Sequence, residues 1–214
     1  MGNRITIHKK TMTTHREMRV LIDAGHGIDT PGKRSPDGSF LEYLWNRQIA
    51  DLVIARLVTR GVDASLVVTE TNDIPLRTRV MRVNKFCDQL GKDNVILVSI
   101  HSNAAGNGSA WMNAKGWSCY TSPGKTGSDE FAECFYDAFS KAFPERRMRR
   151  DLTDGDSDYE ENFYILAKTK CRAVLLENFF YDNQEESAWL QLRTTKERIA
   201  DAIVAGLFIY LSKP

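Results

Sequence analysis

The apolar run Val20-Leu21-Ile22 ends at Asp23-Ala24-Gly25-His26-Gly27, so two glycines flank a histidine just after a short buried strand. Ile28 to Gly38 follows as a loop rich in glycine, proline and charge. From Ser39 a helical period sets Leu41, Trp45, Ile49, Leu52 and Leu57 on one face, and Gly61 is placed to end it. Ala64 to Thr69 predicts the next strand. Asp73 is placed to cap a second helix with Pro75 in its first turn. Leu76, Val80, Val83, Cys87 and Leu90 form the inner face of that helix, and Gly91 lies beyond its end.

Val95 to Ile100 is apolar but for Ser99, the pattern of a strand buried on both faces of a parallel sheet, and it delivers His101 at its end. Trp117 to Thr121 predicts another strand. Phe131, Cys134, Phe135, Ala138 and Ala142 trace a helix that stops at Pro144, and Arg146 to Glu161 reads as a charged loop. Ala173 to Leu176 is a further buried strand leading into Glu177, and a last helix turns Trp189, Ile199, Ile203, Leu207 and Tyr210 inward. The alternation of strands and helices argues for an α/β sandwich. Residues 1 to 17, polar and without hydrophobic period, read as a flexible leader, with a single domain over 18 to 214.

Composition narrows the functional classes. The chain is ordinary for a globular protein, and 29 basic against 28 acidic residues leave a net charge of +1, so no global field draws it to nucleic acid or to an anionic membrane. The run Arg146-Arg147-Met148-Arg149-Arg150 is followed at once by Asp151, Asp154, Asp156, Asp158, Glu160 and Glu161, which cancel most of its field. That acidic stretch lacks the EF-hand pattern, so calcium is not assigned to it. Cys87, Cys119, Cys134 and Cys171 form no CxxC pair and read as buried free thiols. No membrane-length apolar stretch and no secretory signal are visible, so action on an extracytoplasmic substrate is expected to follow lysis, separate export or removal of a signal.

In open α/β sheets ligands bind beyond the carboxyl ends of the strands. His26, His101 and Glu177 each sit at such an end, and Glu42, in the first turn of the helix after the first strand, can face the same crevice. Two imidazoles and a carboxylate are a ligand set for catalytic zinc, which keeps its fourth position for water. Each residue also has a plainer reading. Ser39-Phe40-Leu41-Glu42 is a capping box, a lone histidine at a strand end is a common turn residue, and Glu177 can pair with Arg79 or Arg172. Convergence of all of them on one edge favours chemistry.

Gly25-His26-Gly27, Glu42 with Asn46, Leu76 with Arg79 and Asn84, Ser99-Ile100-His101-Ser102-Asn103-Ala104 and Val174-Leu175-Leu176-Glu177-Asn178-Phe179 together resemble the zinc-dependent N-acetylmuramoyl-L-alanine amidases of the amidase-3 type, from about Val20 to Tyr210. The resemblance implies a three-layer α/β sandwich with a mostly parallel six-stranded sheet between helices. It implies Zn2+ held by His26, Glu42 and His101, Glu177 as the catalytic carboxylate, and peptidoglycan as substrate, cut between N-acetylmuramic acid and L-alanine. Arg149 or Arg150 is a candidate for binding a stem-peptide carboxylate, since a guanidinium matches that group with two parallel hydrogen bonds. Trp111, Trp117 and Tyr159 offer faces for sugar stacking or for packing. The Ile28 to Gly38 loop departs from the family's shorter glycine and aspartate continuation and resembles a variant of phage or Bacteroides-like amidases, and the lack of a visible signal suits a lysis enzyme. Competing readings are a zinc hydrolase of another acylated amino acid, a catalytically silent wall-binding module and, less favoured, a nucleic-acid binder.

Overall fold

The structure, a computed structural model, describes residues 18–213; the expected leader at 1 to 17 lies outside them. Six strands form one sheet: β1 (Arg19–Ala24), β2 (Ala64–Leu66), β3 (Val95–Asn103), β4 (Ser118–Thr121), β5 (Tyr159–Glu160) and β6 (Arg172–Phe180). Their order is β2-β1-β3-β6-β4-β5, and only the β4–β6 pairing is antiparallel. The central trio is in register, Ile22 beside Val98 and Val98 beside Val174, so three apolar runs align in the middle of the sheet.

Alternation along these strands divides the core in two. Val20, Ile22, Ala24, Ile96, Val98, Ile100, Val174 and Leu176 face the larger core, covered by α1 (Glu42–Thr59), α3 (Gly127–Ala142) and α6 (Arg193–Leu211). Leu21, Leu97, Ala173 and Leu175 face a smaller one under α2 (Leu76–Leu90) and α4 (Tyr164–Ala167). Both faces are buried under helices, the condition under which parallel strands read as unbroken apolar runs. Gly206 lets α6 approach α3: a Cβ there would stand 2.6 Å from the Phe135 ring.

Several expectations shift. The helix expected from Ser39 begins at Glu42, because Ser39 donates instead to the Asp37 carboxylate and Leu41 holds the N-cap position without a side-chain cap. The strand expected over 64 to 69 is paired only to Leu66. Asp73 does not cap α2; Pro75 occupies that position, and the Asp73 carboxylate binds Thr30 and Arg79. Leu76 and Leu90 are exposed, since the inner stripe of α2 is Arg79, Val80, Val83 and Cys87. The last helix is two, α5 (Gln184–Leu190), capped by Asn183, and α6 after a break at Gln191 and Leu192. Strands β3 and β6 run past the histidine and glutamate that they were expected to end on. All four cysteines are buried free thiols, and no helix of the described residues is long and apolar enough to cross a membrane.

Candidate active site

The site grows from strand parity. Asp23, Ser99 and His101 share the face of Leu21 and Leu97, and Glu177 shares it with Ala173 and Leu175. Asp23 sits beside Ser99, and His101 beside Glu177. The Ser99 hydroxyl donates to Asp23 Oδ2 at 2.7 Å, and Arg79 donates to Asp23 Oδ1 at 2.8 Å. Arg79 is 1% exposed and also donates to the carbonyls of Ala24, His26 and Ile74. A buried guanidinium that spends its donors on two carboxylates, Asp23 and Asp73, and three carbonyls fixes the path of the loop after β1.

That loop is tightly made. His26 has φ +62, in the left-handed region where a residue with a side chain costs on the order of 1–3 kcal/mol. Its neighbours can only be glycine. A Cβ on Gly25 would stand 2.1 Å from the His101 ring, and one on Gly27 1.9 Å from the backbone of Asp73. Asn46 of α1 donates to the Gly25 carbonyl, and Arg47 donates to the His26 carbonyl. Asn178 performs the same service for the other histidine, donating to the His101 carbonyl at 2.9 Å while its own oxygen accepts from the Trp117 indole. Register shifts between His101 and Asn103, a bulge that re-aims the end of β3.

His26, Glu42 and His101 come together, with one ligand atom from each lying within 4.8 Å of the others. His101 Nδ1 is 3.1 Å and His26 Nε2 3.4 Å from Glu42 Oε1. The Glu42 carboxylate is 1% exposed, and its Oε2 has no hydrogen-bond partner. Ligands about 2.0–2.2 Å from a tetrahedral ion stand about 3.4 Å apart, so two nitrogens and a buried carboxylate with an orphaned oxygen fit a small divalent metal. Glu42 is therefore no helix cap.

Charge follows the same logic. Burial by itself would raise the Glu42 carboxyl, but hydrogen bonds and charge from His101 and His26 hold it well below the usual carboxylate range. Burial opposes charging of both imidazoles; it prevails at His26, whereas the Glu42 hydrogen bond prevails at His101 and raises it. Glu177 is different. Burial, reinforced by the Glu42 charge, outweighs the pull of His101 and Lys33 and lifts its carboxyl to about 7. Neither Arg79 nor Arg172 pairs with it, being held by Asp23 and Asp73 and by Asp93 respectively, and Glu177 Oε2 is buried without a partner. Glu42 and Glu177 both line a cleft of about 300 Å³, walled by Lys33, Asn103, Gly106 and Tyr181.

The two candidate arginines part. Arg149 lies 5.3 Å over the Phe180 ring, three residues past Glu177, with no carboxylate partner among the described residues. Arg150 donates to Ser157 and Ser140 and stacks on Tyr136, none of which belongs to the histidine–glutamate cluster. Trp117 is fully buried against Phe139, so its ring packs the core; Tyr159 packs on Tyr120, and Trp111 is half-buried. Arg79, Asn46 and Asn178 stood in the motifs without a role. The position of Arg79, four residues before Val83 on the inner stripe of α2, is the signal that it is buried.

Over one cleft of a mostly parallel sheet, two histidines and a glutamate that could hold a metal ion stand beside an unpaired glutamate, a set of side chains suited to hydrolysis. The chain belongs to the amidase-3 family, N-acetylmuramoyl-L-alanine amidase, whose profile matches residues 20–208, and it is a peptidoglycan amidase. Among solved structures it is similar to the catalytic domain of CwlV, an N-acetylmuramoyl-L-alanine amidase from Bacillus (Paenibacillus) polymyxa var. colistinus, with 26% identity over 91% of this chain and 98% of that one and a TM-score of 0.71. It is also similar to an N-acetylmuramoyl-L-alanine amidase from Clostridium difficile 630, with 27% identity, 92% and 98% coverage and a TM-score of 0.75. The Mycobacterium smegmatis enzyme shares the fold, with 18% identity, 92% and 99% coverage and a TM-score of 0.76. No curated protein sequence matches the chain.

Proposed function

We propose that His26, Glu42 and His101 hold a catalytic zinc ion and that Glu177 moves the proton as the amide between N-acetylmuramic acid and L-alanine is hydrolysed. The observation that carries this reading is the convergence of both imidazoles on one oxygen of the buried Glu42 while its second oxygen has no partner. When bound, zinc supplies an acidified water, with a pKa near about 7, and a Lewis acid for the carbonyl. An amide has a poor leaving group as well as a poor electrophile, and Glu177 addresses the first problem. Its carboxylate takes the proton of the attacking water and returns it to the departing L-alanine nitrogen, worth about 10²–10⁴-fold. Burial raises this carboxyl, the direction that lets one group accept a proton and return it near neutral pH.

The products are a lactyl carboxylate on the sugar and a free stem peptide. Arg149, without a carboxylate partner among the described residues and lying over Phe180 of the glutamate's strand, is the better placed of the two arginines to bind a stem carboxylate. The enzyme meets the wall after export or lysis, and neither nucleic acid nor membrane insertion enters its action. Elemental analysis of the purified protein should find about one zinc per chain. Mass spectrometry of digested peptidoglycan should find intact glycan strands and free stem peptides beginning with L-alanine. Full wall cleavage after thorough chelation would refute the metal role.

A further inference from the structure

The 28–38 loop, rich in glycine, proline and charge, is built as a wall. Ile28 N–H donates to the Thr71 carbonyl, Thr30 is tied to Asp73, and buried Ser35 pairs backbone to backbone with Phe40 and side chain to side chain with Asp37. Arg34 bridges to Leu41. The loop also leans on the turn after β3, for a Cβ on Gly108 would stand 3.2 Å from the carbonyl oxygens of both Gly32 and Arg34. A segment held at this many points has a fixed backbone, so each side chain starts from a set place.

Lys33 is the residue this wall presents. Its carbonyl accepts from the N–H of Glu42, so its backbone is pinned to the first residue of α1, which also carries the metal-site carboxylate. It lines the cleft together with Glu42 and Glu177, and it is half-buried with no ion-pair partner among the described residues. Its charge is felt by both His26 and Glu177. An ammonium set this close to the reacting centre and left without a protein anion is available to an anion on the substrate.

We propose that Lys33 is a specificity residue that pairs with a free carboxylate on the stem-peptide residue following L-alanine, and so favours stems in which that carboxyl is not amidated. The inference rests on the amidase reading of the site. Position limits the choice of group: Lys33 lines the same cleft as Glu42 and Glu177, so the anion it meets belongs to the part of the substrate next to the scissile amide. On the peptide side the first carboxyl after L-alanine is the one on the next residue, which occurs free or as a carboxamide. An ammonium gains a charge-assisted hydrogen bond from the first form and only a neutral one from the second.

The test compares kcat/KM of the zinc-loaded enzyme on two muropeptides that differ only in carboxylate or carboxamide at that residue. The wild type should prefer the carboxylate by about tenfold or more, on the scale of a charge-assisted contact. Lys33→Gln should bring the ratio to within about twofold, and Lys33→Arg should restore much of it. A wild type without preference, or a Lys33→Gln that keeps the ratio, overturns the assignment of Lys33 while leaving the amidase reading intact. Failure of the wild type to cleave either substrate overturns that reading, and this inference with it.

Discussion

At the scale of single residues the site is a set of close approaches, and each makes a specific demand. Gly25 leaves room for the His101 ring, so Gly25→Ala drives a methyl into it, at 2.1 Å before relaxation. The variant should fold yet lose most of its zinc and its turnover, which metal analysis beside a circular-dichroism melt would register; full zinc occupancy would contradict the packing argument. Glu177 gives a prediction with a sign. Its carboxyl is raised in the fold, to about 7 from an ordinary 4.5, so the stability it contributes is fully present below the unfolded value and is lost as pH rises through about 7. In chelated protein Glu177→Gln removes that dependence. The variant's advantage over wild type in urea unfolding should grow from pH 5 to pH 8, to on the order of 1–3 kcal/mol. A difference that does not change with pH would show that Glu177 is not held in this environment.

At the scale of elements, α2 carries more of the site than its surface suggests. Arg79 neutralises buried Asp23 and ties the carbonyls on either side of Gly25. Arg79→Met leaves Asp23 buried and unpaired, and should cost about 3–5 kcal/mol together with metal affinity; a loss below 1 kcal/mol would refute this role. Helices α3 and α6 make the opposite kind of demand. Gly206→Ala improves helix propensity by about 1 kcal/mol, but its methyl meets the Phe135 ring. The variant should therefore be less stable by about 1–3 kcal/mol, and a rise in melting temperature would refute the close approach.

Legibility in the sequence followed the same physics. The central strands were readable because burial on both faces leaves an unbroken apolar run, and with them came His26, His101 and Glu177, which those runs deliver to the cleft edge. Glu42 was ambiguous because Ser39-x-x-Glu42 serves a cap and a ligand equally well; the choice lay with Asp37, which takes the Ser39 hydroxyl. The burial of Arg79 was hidden by its residue type, and the exposure of Leu76 and Leu90 by theirs, since the path of neighbouring loops decides which turn of a helix is covered. The short strands β2 and β5 and the four-residue α4 lack the length for a periodic signal.

At the scale of the whole molecule, the sheet brings together side chains from residues 26, 42, 101 and 177, so the chemistry exists only in the complete fold. In the function we propose, two jobs are divided among them: holding the metal falls to His26, Glu42 and His101, and moving the proton falls to Glu177. The most direct test of that division is the turnover of Glu177→Gln on peptidoglycan, measured with zinc content on the same sample. The account predicts about one zinc per chain and a loss of kcat on the order of 10²-fold or more, because an amide of nearly the same shape cannot accept the water proton. Zinc lost in step with activity, or near-normal turnover with zinc retained, would contradict it.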